Sequence, residues 1–172
     1  VEEWKRQYEV RSVALDAEVA ADVEVLVVPQ PSTLTAAQIE RLHDYIWAGR
    51  PALLLEDPLP FFQVAQGRGD LIHGQPKRNP AAQYGGPPPE GGPQKGDLRQ
   101  LIKALGIEFR PDETVWSDFN PSHYFKELIP ANFVWLTADR GAIEPANAAT
   151  TGVNALLLPY PGSLSVAGDK AA

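Results

Sequence analysis

Asp22-Val-Glu-Val-Leu-Val-Val-Pro-Gln-Pro31 is followed by Leu34-Thr-Ala-Ala-Gln-Ile-Glu-Arg-Leu-His-Asp-Tyr-Ile-Trp47 and then by Gly49-Arg-Pro-Ala-Leu-Leu-Leu-Glu-Asp-Pro58. Val23, Val25, Leu26, Val27 and Val28 form a short apolar run, largely β-branched, closed by Pro29 and Pro31. Such a run reads as a strand buried on both faces. Thr35 is a candidate N-cap, and Gln38 three residues on completes a capping box. Ala36, Ile39, Leu42, His43, Ile46 and Trp47 recur at helical spacing, while Glu40, Arg41 and Asp44 fall on the opposite side. Gly49 stands where a C′ glycine ends a helix. The run from Pro51 to Leu55 is a second buried strand, stopped by Glu56-Asp57-Pro58. Strand, capped helix and strand make a βαβ unit. The strands at 23–28 and 51–55 are therefore expected to be parallel neighbours, with a right-handed crossover. Leu42 and Ile46 are expected to be fully buried against them.

The elements outside this unit are shorter. A helix end near residue 7 and a strand at 9–13 are expected upstream. Asp97 caps a helix through Leu98, Leu101, Ile102 and Leu105, which Gly106 ends. Short strands follow at Ile107–Phe109, Thr114–Trp116, Phe133–Leu136 and Asn154–Pro159. One helical turn is expected at 123–128, and a frayed end at 168–172. Residues 66–96 break the pattern with closely spaced Gly and Pro. We read them as an excursion from a single α/β domain spanning 1–172, because a structureless connection normally stops at about 12–15 residues.

The chain has 172 residues, enough to bury a core without staples. Its net charge of −7 and the lack of a basic block argue against nucleic-acid partners and anionic membranes. No apolar run approaches the roughly 18 residues of a membrane span. With no Cys, thiolate catalysis, disulfides and cysteine-based zinc sites fall away. The chain begins at Val1 and has no Met, which we read as a fragment, an excised domain or a processed chain.

Few residues suggest chemistry. There is no G-x-S-x-G elbow, and Gly162-Ser163 reads as a plain turn. The segment Val28-Pro-Gln-Pro-Ser-Thr33 lacks the glycines of a phosphate loop. His43, His73 and His123 lack zinc spacing. His43 reads as a partly buried, hydrogen-bonded core residue. Asp118 and Asn120 read as turn caps rather than partners of His123. Arg68-Gly69-Asp70 reads as a Gly-rich turn. Glu56 and Asp57 are the more interesting pair. They lie at the carboxyl end of a strand, where open α/β sheets bind ligands. As paired carboxylates they are candidates to contact a ligand, coordinate Mg²⁺ or act as an acid/base pair, although Asp before Pro is also ordinary punctuation. No metal or cofactor is expected.

The βαβ stretch resembles the extracytoplasmic domain of the gliding-motility-type auxiliary component of ABC transport systems. The resemblance rests on the strand from Asp22, the Leu34-Thr35 helix start, Asp44-Tyr45-Ile46, the Gly49 turn and the strand ending in Asp57-Pro58. Leu101 to Phe109 and Asn154 to Leu164 also fit. Here Tyr45 follows Asp44 directly, and Arg50 stands where the family pattern has a second glycine. A related α/β domain occurs in eukaryotic intraflagellar transport proteins. The resemblance implies a three-layer fold with a mostly parallel central sheet, of the flavodoxin or glutamine-amidotransferase type. It also implies a periplasmic, membrane-associated domain, held by transmembrane anchors outside this fragment. Its implied partners are an ABC permease and an ATPase. It carries no catalytic residues across.

The expected function is therefore a non-catalytic interaction or ligand-sensing domain of an ABC-type transport complex, with a small ligand possible. The alternative is a hydrolase-like or sugar-binding α/β enzyme using Glu56, Asp57 and a histidine. The expected partner-contacting set is Arg68, Lys77, Arg78 and Tyr84 in the excursion, beside Glu56 and Asp57. The excursion is locally basic on an acidic chain, which steers it toward an acidic surface. Tyr84 beside Gly85-Gly86 is an aromatic anchor of the kind enriched at interfaces.

Overall fold

The computed structural model describes residues 2–59, 90–110, 113–122 and 129–166. They fall into two compact units, one within Val1–Leu55 and Asn79–Leu98, the other within Glu56–Arg78 and Arg99–Ala172.

In the first unit, β1 (Leu26–Pro29) pairs in parallel with β2 (Ala52–Leu55), and α1 (Ala36–Trp47) joins them. The register sets Leu26 against Ala52 and Val28 against Leu54. The expected parallel pair is present, with β1 three residues shorter at its start than the apolar run. Thr35 and Gln38 form the full capping box. Gly49 adopts the left-handed conformation (φ 76°) that ends α1. The Gly49 N–H reaches the Ile46 carbonyl at 2.9 Å and the Arg50 N–H reaches the Tyr45 carbonyl at 3.4 Å. Together these make a Schellman motif.

The covered face of the pair carries the buried Leu26 and Val28 with half-buried Ala52 and Leu54. Its other face is open, with Leu53 46 % and Leu55 44 % exposed. The expected burial on both faces is therefore corrected. A single helix layer joins these two strands, and among the described residues nothing covers Leu53 and Leu55 fully.

The helix is also rotated from its expected stripe. Leu42 is wholly buried, with Ile39 and Tyr45 beside it. Ile46 is only half-buried, and Trp47 is exposed. Tyr45 takes the inner position because its hydroxyl donates to the Pro51 carbonyl at 3.2 Å and the Arg50 guanidinium covers its ring at 4.3 Å. Glu40, Arg41 and Asp44 are exposed as expected.

Gln94, Lys95 and Gly96 lie along the start of α1. The Ala36 N–H donates to the Gln94 carbonyl and the Gly96 N–H to the Leu34 carbonyl, each at 2.9 Å. Gly96 fits only because it lacks a side chain. A Cβ there would sit 2.4 Å from Ile39 Cγ1 and 2.9 Å from the Thr35 carbonyl oxygen.

Helix α2 (Leu98–Ala104) leads into the second unit and ends at left-handed Gly106 (φ 76°). There β3 (Ile107–Phe109) pairs antiparallel with β6 (Leu164–Val166), and β4 (Phe133–Thr137) pairs antiparallel with β5 (Ala155–Pro159). The described residues thus form a mixed α/β structure of three separate two-stranded sheets, of which one is parallel. A three-layer, mostly parallel sheet is not among them. The reason is visible in the strands. β4 is flanked by the Pro130–Phe133 turn, closed by the Phe133 N–H on the Pro130 carbonyl at 2.9 Å, and by a 3-10 turn, so it pairs back on β5.

Residues 9–13 form no strand; the upstream helix is a 3-10 turn, Trp4–Arg6. The strand expected at Thr114–Trp116 is not formed. The Val115 N–H donates to the Pro161 carbonyl at 2.7 Å and the Ser117 N–H to the Ala131 carbonyl at 2.8 Å. β6 is not among the strands the sequence suggests; it is short and exposed along its length, so no burial pattern marks it. The expected turn at 123–128 and the end at 168–172 lie outside the described residues.

Gly96→Ala is expected to destabilise the chain by about 1–3 kcal/mol, the range for overpacking a tight site. Urea unfolding of the variant beside wild type measures it. A loss near zero would show that the 94–96 segment does not depend on this close approach.

Candidate functional site

In α/β folds the carboxyl end of a strand and the N-terminus of the next helix form the usual ligand crevice. Here that place is built from β1, the turn after it and α1. Gln30 takes a left-handed backbone (φ 53°), and its N–H donates to the Leu55 carbonyl at 2.7 Å, extending the β1–β2 pairing. Its own carbonyl accepts the Thr33 N–H at 2.9 Å and the Thr33 hydroxyl at 2.7 Å. Pro31 and Ser32 are buried in the 3-10 turn Pro31–Thr33.

A free helix N-terminus binds anions through its unpaired N–H groups. That of α1 is largely satisfied by its own chain. The Thr35 hydroxyl accepts the Gln38 N–H at 3.3 Å, and Gln38 Oε1 accepts the Thr35 N–H at 3.0 Å. The Ala36 N–H goes to Gln94, and the Ile39 N–H to the Thr35 carbonyl at 2.9 Å. The segment 94–96 stands where a phosphate would approach, which agrees with the missing glycines after β1.

Glu56 and Asp57 are half-buried just beyond β2. Asp57 Oδ1 accepts the Leu59 N–H at 2.9 Å, an Asx turn around Pro58. Asn120 does the same for the Ser122 N–H at 2.9 Å, as expected. For Ser117-Asp118 the capping oxygen is that of Ser117, which accepts the Phe119 N–H at 3.1 Å. Gly162 packs against Pro58 and Phe109, where a Cβ would meet Pro58 Cγ at 3.0 Å, and Ser163 is exposed. Arg68, Lys77, Arg78, Tyr84, His73 and His123 lie outside the described residues. Among the described residues no group of three His, Asp or Glu side chains is placed to hold a metal ion.

The feature that sequence reading missed is Arg50. Its Nη1 donates to the Val19 carbonyl at 2.8 Å, and its Nη2 to the Ala20 carbonyl at 2.6 Å and the Val23 carbonyl at 3.2 Å. The same guanidinium lies over the Tyr45 ring. Arg41 Nη1 donates to the Leu15 carbonyl at 3.1 Å, and Gln38 Nε2 to Asp16 Oδ1 at 2.9 Å. Three side chains of the helix region thus tie the irregular segment 15–23 to α1, and Leu15 and Val19 are buried under it. A cavity of about 330 Å³ opens between them, with Glu18, Val19, Arg41, Asp44, Tyr45 and Arg50 in its wall. Arg50 is committed to backbone carbonyls, and Arg41 to one, so this cavity reads first as the seam of a structural clamp. No local sequence signal marks it, because the carbonyls Arg50 reaches belong to residues 19–23, well before α1 in the chain.

The surface of the first unit carries an aromatic pair. The His43 ring stacks on Trp47, 5.4 Å between centroids and 16° between planes. His43 Nδ1 lies 3.1 Å from Asp44 Oδ1. His43 is thus partly buried and hydrogen-bonded, as expected, but lies outside the core, and Trp47 is 67 % exposed. A large exposed Trp is the residue type that dominates protein interfaces.

A family model described as "ABC-type uncharacterized transport system" matches residues 1–172. No curated protein and no solved structure matches the chain.

Arg50→Lys keeps the charge but loses the fork that reaches three carbonyls. The expected loss is about 1.5–3 kcal/mol, the range for hydrogen bonds to a charged group. Thermal unfolding checks the size. Limited proteolysis checks the place, because cleavage is expected to appear within 15–23 first.

Proposed function

The chain belongs to the ABC-type uncharacterized transport system family, and on that premise we propose that it is the non-catalytic, extracytoplasmic interaction or ligand-sensing domain of a transport complex. It is an auxiliary component of an ABC-type transport system. The family match over 1–172 carries the reading. The motifs at 22–58 support the finer placement beside gliding-motility-type auxiliary components and, more distantly, the α/β domain of intraflagellar transport proteins. They also support a flavodoxin-type fold, of which β1, α1 and β2 are the first βαβ unit.

Two local features support an interaction role over catalysis. The start of α1, where a phosphate would bind, is occupied by residues 94–96. The Asp57 carboxylate is used to cap the turn that leaves β2. The exposed Trp47 with stacked His43 offers protein contact area instead. The partners in this reading are an ABC permease and its associated membrane proteins. In this reading membrane anchorage comes from segments outside this fragment, as the resemblance implies. Among the described residues no helix is long and apolar enough to cross a membrane.

The chain has no Cys, so an introduced one reports location cleanly. Glu40→Cys on the exposed side of α1, placed in the full-length protein, is expected to react with a membrane-impermeant maleimide in intact spheroplasts. The unsubstituted protein is the control for cysteines elsewhere. Labelling only after lysis would overturn the extracytoplasmic placement.

Within the same reading, Arg68, Lys77, Arg78 and Tyr84 form the partner-contacting set. Lys77, Arg78 and Tyr84 are tested by replacement of 74–93 with a short Gly/Ser linker, and Arg68 by Arg68→Ala in the same background; the linker leaves the anchored Gln94–Gly96 segment in place. Co-purification of the permease is expected to fall at least tenfold while the melting temperature holds. Unchanged co-purification would reduce the segment to a tolerated insertion.

A further inference from the structure

The cavity between segment 15–23 and α1 has a wall that the clamp alone does not explain. It lies toward the end of α1, away from the usual ligand crevice, and its volume of about 330 Å³ is that of a small-ligand pocket. Four charged side chains line it, Glu18 and Asp44 against Arg41 and Arg50. Among the described residues no ion pair joins the two signs across it. Arg50 is held by the carbonyls of Val19, Ala20 and Val23 and lies over the Tyr45 ring. Arg41 is held by the Leu15 carbonyl, through Nη1 alone. Asp44 meets His43 Nδ1. Glu18 meets no hydrogen-bond or ion-pair partner among the described residues. The clamp thus fixes both guanidiniums on backbone oxygen and keeps them from the two carboxylates.

The charges select the ligand. A lone anion would face Glu18 and Asp44, and a lone cation would face Arg41; like charges brought together oppose binding. A ligand with one charge of each sign meets both demands. Arg41 and Asp44 stand three residues apart on α1, which makes them neighbours on the helix surface, about 5–6 Å apart at Cβ. Only Nη1 of Arg41 is used. Its Nε and Nη2 form the edge that takes a carboxylate through two parallel hydrogen bonds. Asp44 lies in the last turn of α1, where the negative end of the helix favours a cation.

We propose that this cavity binds a small zwitterion, a free amino acid or a short peptide, with its carboxylate on Arg41 and its ammonium between Glu18 and Asp44. The site gives the ligand-sensing half of the proposed function a ligand class, and it rests on that reading for its role. Binding to the isolated chain tests the site, and the maleimide experiment tests the placement, so each can fail without the other.

The test is ¹⁵N NMR of the 172-residue chain, following the Arg41 Nε–H, with Arg41→Lys identifying the resonance. Glycine and glycylglycine are the probes, and acetate and methylammonium are their single-charge halves. A zwitterion is expected to shift the resonance saturably and to bind at least tenfold more tightly than either half. The tighter of the two probes assigns the site to amino acids or to peptides. Glu18→Gln is expected to weaken that probe at least tenfold while the melting temperature holds, because Glu18 takes part in no bond that folding uses. Glu40→Gln removes one charge from α1 outside the cavity and is expected to change the affinity by about twofold at most. The bound chain is expected to be cleaved more slowly within 15–23, since the ligand joins that segment to α1. Acetate binding as tightly as the zwitterions would overturn the site in favour of a plain anion contact. Methylammonium binding as tightly would overturn it in favour of a cation contact. No saturable shift with either zwitterion, or equal losses in Glu18→Gln and Glu40→Gln, would overturn it outright.

Discussion

A helix leaves unpaired N–H groups at one end and unpaired carbonyls at the other, and the first unit is organised by how α1 meets that demand. Its start is closed by Thr35, Gln38 and the Gln94 carbonyl. Its end is closed by the Gly49 turn, and the Arg50 that follows reaches across to three carbonyls of the 19–23 segment. Segments that would otherwise carry unsatisfied backbone are thereby fixed to the helix. Leu42, wholly buried, is the point on α1 around which this packing closes.

These ties bear on function because they use the places where α/β proteins usually bind ligands. The amides at the start of α1 are turned inward to the chain, and the guanidinium nearest the end of α1 is spent on backbone. What is left to the exterior is apolar or aromatic: Trp47 over His43, and the outward Leu53 and Leu55 of β2. Exposed aromatic and apolar side chains of this kind are what the proposed interaction role rests on. That agrees with an auxiliary component of a transport system.

The second unit solves its backbone pairing differently. Its strands pair antiparallel, and Tyr160, buried against Phe133, turns the chain after β5 with a left-handed backbone (φ 48°). Burial pushes its hydroxyl above the usual tyrosine range. Its neutral form is thus favoured on folding, and the associated stability is present below the unfolded tyrosine pKa and lost as alkaline pH rises through the folded one. Gly162 then passes close to Pro58 and Phe109, which explains the Pro-Gly pair on packing grounds alone.

The sequence by itself determined the local elements. The capping box at Thr35, the Gly49 and Gly106 stops, the β1–α1–β2 unit and the strands at 107–109, 133–137 and 155–159 follow from side-chain chemistry within a few residues. The exclusion of thiol chemistry and of a phosphate loop followed likewise. Only the tertiary structure decided which way α1 faces, because Tyr45 turns inward through Arg50 and Pro51, contacts that helical periodicity does not encode. It alone placed residues 94–96 on the start of α1, more than fifty residues away in sequence, since only a packed backbone shows that Gly96 has no room for a Cβ. It alone divided the strands into three separate pairs, because an apolar run states that a strand is buried and not which neighbour covers it.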